Sequence, residues 1–109
     1  MRRDFTLENG IYCKGLTNDF KLYFETMELT PSCSDITYIP NTLLVYKSGK
    51  TVYACEPKIS YASGEPKLRE IIKFEVMIPY GYALIQLHGK TYIIDYNLQI
   101  CRSNPKKSF

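Results

Sequence analysis

Gly-Lys-Thr occurs twice, at Gly49-Lys50-Thr51 and Gly89-Lys90-Thr91, and a lysine between a glycine and a hydroxyl residue is the heart of a phosphate-binding loop. That chemistry also needs a glycine five residues earlier, so that backbone N–H groups can wrap the phosphates, and a helix after the threonine. Leu44 and Leu84 hold the glycine positions, and both copies run on into Val52-Tyr53 or Tyr92-Ile93, residues that favour strands. Nucleotide hydrolysis is not expected. His88 is the only histidine, and Cys13, Cys33, Cys55 and Cys101 stand singly, without a Cys-x-x-Cys pair to begin a zinc site. A His88-activated cysteine nucleophile is conceivable. However, His88 precedes a glycine at a turn, where imidazole residues tolerate left-handed backbone, and the turn reading is the stronger. Acid–base work needs two carboxylates on one wall. Glu70 and Glu75 differ in strand parity, and Asp95 stands alone opposite Tyr82, a hydrogen-bonding role. No catalysis, metal or cofactor is expected.

Basic residues interleaved with tyrosines are what remains. Tyr46, Lys47, Lys50 and Tyr53 fall on one candidate hairpin and His88, Lys90 and Tyr92 on another, while Arg102, Lys106 and Lys107 charge the tail. Tyrosine stacking with lysine–phosphate contacts is how small β-barrels hold single strands. The plainer reading is that lysines guard hairpin tips and tyrosines fill half-buried strand sites. A formal net charge of only +3 favours the plainer one.

The elements that carry these residues are hairpins. Asn9-Gly10, Ser48-Gly49, Tyr80-Gly81 and His88-Gly89 each separate runs of apolar and β-branched residues, the pattern of two-residue turns. Asn9-Gly10 pairs Leu7 with Tyr12 and Thr6 with Cys13. Ser48-Gly49 pairs Lys47 with Lys50, Val45 with Val52 and Leu43 with Ala54. Tyr80-Gly81 pairs Ile78 with Ala83, Val76 with Ile85 and Phe74 with Leu87. His88-Gly89 pairs Leu87 with Lys90, Ile85 with Tyr92 and Ala83 with Ile94. The last two registers agree on one apolar face: Phe74, Val76, Ile78, Ala83, Ile85, Leu87, Tyr92 and Ile94. Residues 19–29 fit both a strand and an amphipathic helix, and we read a strand. Thr30 to Asp35 and Ser63 to Pro66 are loops, and Pro66 can open one helical turn over Leu68 to Ile71. The motif Ile-Pro followed by Gly-Lys-Thr recurs in both halves, which we read as shared turn chemistry rather than duplication.

About seven or eight short strands with turns every ten residues or so imply an all-β fold, at most one short helix, built as a small antiparallel barrel or sandwich. With 109 residues we expect one domain over residues 1–101, one core, and a basic flexible tail over 102–109. Met1-Arg2-Arg3 leads into Asp4-Phe5-Thr6-Leu7-Glu8 rather than an apolar segment, and no apolar run nears the about 20 residues of a membrane helix. A cytoplasmic chain with four reduced thiols follows, one that makes no use of a membrane. Richness in Tyr, Ile, Lys and Asn has the look of an AT-rich genome and an accessory or inhibitor protein of a phage or virus, acting in the host cytoplasm. Ten tyrosines and apolar residues on a second strand face (Met77, Leu84, Ile93) suggest a non-catalytic binding protein. Its expected partner is another protein or a second copy of itself. Single-stranded nucleic acid is the second reading, and a small ligand or nucleotide sequestered in a Tyr-lined pocket the third.

Overall fold

Chain reversals between strands need residues that accept left-handed backbone, and most reversals here have one: Asn9, Gly10, Glu25, Asn41, Gly49, Gly64, His88 and Gly89 all have positive φ. The structure, a computed structural model, describes residues 4–75, 82–95, 98 and 100–102. Those residues form eleven strands and no helix. The first sheet runs β1 (Phe5–Thr6), β2 (Ile11–Gly15), β3 (Phe20–Phe24), β4 (Met27–Glu28) in spatial order. A second holds β5 (Asp35–Ile39), β6 (Leu43–Ser48), β7 (Thr51–Ser60) and β8 (Lys67–Glu75), again in order. β9 (Tyr82–Leu87), β10 (Lys90–Asp95) and β11 (Ile100–Arg102) make the third, with β10 central. Every pairing is antiparallel. The all-β expectation holds, as layered open sheets. No sheet closes into a barrel among the described residues.

The His88-Gly89 turn has the register read from the sequence, with Leu87 opposite Lys90, Ile85 opposite Tyr92 and Ala83 opposite Ile94. Both turn residues are left-handed, as a type I′ turn requires. The middle hairpin turns one residue later than expected. Ser48 pairs with Thr51, Tyr46 with Tyr53 and Lys47 with Val52, so Gly49 takes the first central position, where type II′ turns demand glycine. This register removes the repulsive Lys47–Lys50 pair and sets Asp35 on the other side of Lys47. Because β7 slides by two residues, the faces survive although every pairing changes. The two Gly-Lys-Thr stretches thus serve different turns, with glycine second in one and first in the other, so they do not share one turn chemistry as read from the sequence.

Asn9-Gly10 also turns as expected, the Ile11 N–H donating to the Glu8 carbonyl at 2.9 Å, yet the register beyond it is shifted. Leu7 N–H donates to the Ile11 carbonyl at 2.8 Å, so Leu7 and Glu8 both stand opposite Ile11 in a β-bulge. Thr6 therefore pairs with Tyr12 and Phe5 with Cys13, instead of Leu7 with Tyr12 and Thr6 with Cys13. Residues 19–29 are strand and not helix, but in two pieces, β3 and β4, folded back on each other at Glu25 instead of the single strand read from the sequence. The helical turn over Leu68 to Ile71 is absent, because that segment lies within β8 and pairs with the ten-residue β7. Phe74 accordingly pairs with Val52, not Leu87. Val76, Met77, Ile78 and the Tyr80-Gly81 turn lie outside the described residues, as do 103–109.

One core was expected and two buried clusters are found. Leu43, Val45, Val52 and Ala54 of the second sheet pack with Ile85, Tyr92, Ile94 and Leu98, while Phe74 and Leu87 lean on the margin. On the other face of the same sheet Leu44, Tyr46 and Cys55 pack with Ile11, Cys13, Leu22 and Cys33. The second sheet is the middle layer of three.

The Gly10 turn is tested by substitution. A Cβ at Gly10 would sit 2.9 Å from Phe24 Cε1 on a backbone at φ +80, whereas at Gly64, φ +89, it meets nothing within 4 Å. Both alanine variants bear the left-handed cost of about 1 kcal/mol, and Gly10→Ala must also displace the Phe24 ring. Urea denaturation is expected to show the larger midpoint loss for Gly10→Ala. Equal losses would mean the ring does not pack over the turn.

Candidate interaction surface

Two of the residues singled out in the sequence meet face to face, one buried and the other half-buried. Tyr46 and Tyr53 are cross-strand partners whose rings stack at 4.8 Å and 15°. Tyr46 is only 6% exposed, beneath the first sheet, and burial pushes its phenol pKa up. Lys47 stands on the opposite face of β6, half-buried, and Lys50 is exposed at the turn. Tyr92 is 8% exposed within the other cluster, which leaves His88 and Lys90 exposed at the tip of the β9–β10 hairpin. The structure brings Tyr46 and Tyr53 together, separates both from Lys47, and puts the His88–Lys90 tip on another sheet. Tyr53 also helps line an open depression of about 280 Å³ with Thr51, Lys73, Phe74 and Glu75.

Three of the four cysteines collect in the cluster beneath the first sheet. Cys13, Cys33 and Cys55 are buried, and none of the three is in a disulfide. The Cys33 thiol donates to Thr30 Oγ1 at 3.3 Å and to the Pro31 carbonyl at 3.2 Å. Burial pushes the Cys33 pKa up, with the Thr30 hydrogen bond opposing, and it pushes Cys55 up to about 12, with Glu70 and Cys33 adding. Groups of three or more His, Cys, Asp or Glu suited to a metal ion are not found among the described residues. Such thiols are neutral packing groups near pH 7, poor as nucleophiles.

The basic and aromatic pattern sought on the middle hairpin is built instead on the outer face of the first sheet. Ile11, Cys13 and Leu22 face inward and are fully buried, so Tyr12, Lys14, Lys21 and Tyr23, which alternate with them, face out. Tyr12 pairs with Tyr23 and Lys14 with Lys21. With Thr6 opposite Tyr12 and Glu28 opposite Tyr23, one row reads Thr6, Tyr12, Tyr23, Glu28 across four strands. The tyrosine rings stack at 5.5 Å and 16°, about the spacing of cross-strand neighbours, so they stand upright and side by side. Tyr12 donates its hydroxyl to the Glu25 carbonyl at 2.7 Å, and Lys21 meets Glu28 at 3.1 Å. At the end of this sheet Phe24 lies edge-on to Tyr61, and Met27 and Tyr61 are 41% and 58% exposed. Glu25, between Phe24 and Met27, is held left-handed at φ 57, a conformation that costs a non-glycine residue about 1 kcal/mol or more.

The sequence does contain this face, as Tyr12-x-Lys14 and Lys21-x-Tyr23 in mirrored order. It was missed because nothing in the local sequence shows that β2 and β3 are neighbours. Comparison with protein-family models, with curated proteins and with solved structures finds no match to this chain.

Two acids with raised pKa values, one buried and one half-buried, make stability sensitive to alkali. Cys55 and Tyr38 are both held up to about 12, Tyr38 by burial and by its hydrogen bond to the Glu8 carboxylate. An acid whose pKa is raised on folding stabilises fully below its unfolded value, near 9.0 for cysteine and 10.0 for tyrosine, and loses that contribution as pH climbs toward 12. The urea midpoint is expected to be level from neutral pH to about 9 and to fall above it. Cys55→Ala is expected to make the fall shallower; an unchanged slope would show that Cys55 ionises as freely in the folded chain as in the unfolded one.

Proposed function

We propose that this chain is a non-catalytic binding protein of the accessory or inhibitor kind, which engages another protein through the outer face and end of its first sheet. The observation that carries the reading is the cluster of Phe24, Met27 and Tyr61 at the end of that sheet, on the side opposite the Tyr12–Tyr23 pair of its outer face. Tyrosine, phenylalanine and methionine are enriched at protein interfaces, and aromatic anchors supply most hot spots. Met27 and Tyr61 present apolar surface to solvent without supporting either core cluster. A second copy of the chain is an alternative partner, favoured by Leu84, 58% exposed opposite Ile93 on the third sheet.

The test is incubation in cell extract followed by native mass spectrometry. A protein-sized adduct is expected with the unaltered chain and not with Met27→Asp/Tyr61→Asp, whose sites are exposed enough to leave folding intact. A nucleotide-sized adduct, or none, would remove the proposal, the former in favour of ligand sequestering at the Tyr53 depression.

Single-strand binding is the second reading, favoured by the Lys14–Lys21 row beside the tyrosines. Weighing against it, each ring has its partner on one side and Thr6 or Glu28 on the other, and base stacking needs an open ring face. A salt titration with an oligothymidylate is expected to give little binding even at low salt. Tight, steeply salt-dependent binding would reverse the order of the two readings.

A further inference from the structure

The outer face of the first sheet sets two lysines against each other. Lys14 and Lys21 are direct cross-strand partners, and like charges so placed repel. Glu28 answers Lys21, while the Asp4 carboxylate accepts the Gly15 N–H at 2.8 Å. Exposed Lys14 meets no acid among the described residues. One row along, the Tyr12 hydroxyl is spent on the Glu25 carbonyl, and the Tyr23 hydroxyl has no partner among the described residues. Among the described residues, the face therefore offers an unanswered ammonium, a second ammonium shared with one carboxylate, an unpartnered phenol donor and the upright flanks of two aromatic rings.

We propose that this face docks an acidic segment of the partner protein. An Asp or Glu carboxylate lies across the Lys14–Lys21 pair and relieves its repulsion, and the neighbouring part of the segment packs against the Tyr12–Tyr23 rings. The inference rests on the protein-binding reading above and names the partner's chemistry. Charge complementarity selects the occupant. A second copy of a chain with net charge +3 brings repulsion of its own, and a nucleic acid brings phosphates whose bases find no open ring face.

The test is an NMR titration of the isotope-labelled full chain with an oligoglutamate peptide at low salt, with an oligothymidylate in parallel. Backbone amide shifts are expected to concentrate at Tyr12, Lys14, Lys21 and Tyr23. Lys14→Glu/Lys21→Glu is expected to weaken the peptide by about tenfold or more with the remaining spectrum unmoved, and Lys14→Arg to retain it. Shifts centred on Lys50 or Lys90, affinity unchanged by charge reversal, or tighter oligothymidylate binding on the same rows would each overturn the proposal. The extract experiment separates the two failures. A protein adduct that survives Lys14→Glu/Lys21→Glu overturns the acidic dock and leaves the protein-binding reading standing, while the absence of any protein adduct with the unaltered chain removes both.

Discussion

Burial of the second sheet on both faces is the constraint on which the molecule depends. In β6, Leu43, Leu44 and Val45 are wholly buried and Tyr46 nearly so, which is possible only if a layer lies on each side of the strand. Each such side chain is worth about 2 kcal/mol in burial, and the first and third sheets are too small to hold a core of their own. β1 and β4 have two residues each, and β11 has three. The outer sheets exist because the middle one gives their apolar faces somewhere to go.

Polar contacts hold the first sheet in its place on that layer. The bulge at Leu7 and Glu8 directs the Glu8 carboxylate to the Tyr38 hydroxyl and to the Asn41 N–H at 2.7 Å, at the β5–β6 end of the second sheet. Asn9 Nδ2 donates to the Pro57 carbonyl at 2.6 Å, where β7 is itself bulged and a proline without an N–H costs the ladder nothing. On the other side of the sheet, Cys33 exchanges backbone hydrogen bonds with Phe20, and the next residue, Ser34, donates to the Lys47 carbonyl at 2.9 Å. The loop from Thr30 to Ser34 therefore belongs to both layers. Thr30 is buried there because its hydroxyl serves the Leu22 N–H and the Cys33 thiol.

This arrangement also sorts the polar and aromatic residues by use. Tyr46, Tyr92 and the cysteines Cys13, Cys33 and Cys55 are consumed by packing, and their raised pKa values or low exposure follow from that. Tyr12, Lys14, Lys21 and Tyr23 sit on the far side of the first sheet, where no further layer covers them among the described residues. A thin outer layer of this kind has one face committed to the core and one left to interact. The same division supports a binding role and gives the left-handed Glu25, at the end of the exposed row, a place where rigidity of the turn matters.

Local information was enough for the all-β class and for turns at or next to Asn9-Gly10, Ser48-Gly49 and His88-Gly89, but not for the turns at Glu25 and Asn41 or for the strand over Leu68 to Ile71. His88-Gly89 specified its register outright, because a type I′ turn admits two left-handed residues and the apolar alternation allows no slip. Ser48-Gly49 specified a hairpin but not its register, since Gly49 serves equally as the second or the first central residue; the choice was made by strand pairing on both sides of Lys47. The alternation of Tyr12 and Lys14, and of Lys21 and Tyr23, was present in the sequence, but nothing local said that these two strands are neighbours. Phe74 and Leu87 were rightly read as sharing one core, yet they reach it from different sheets. Only the tertiary structure decided that, because the partner of β8 is chosen by the long, bulged β7 and not by the next strand in the chain. It likewise decided that Leu43 and Leu44 are both buried. Periodicity reports which way a side chain points, and whether anything waits there depends on residues far away in sequence.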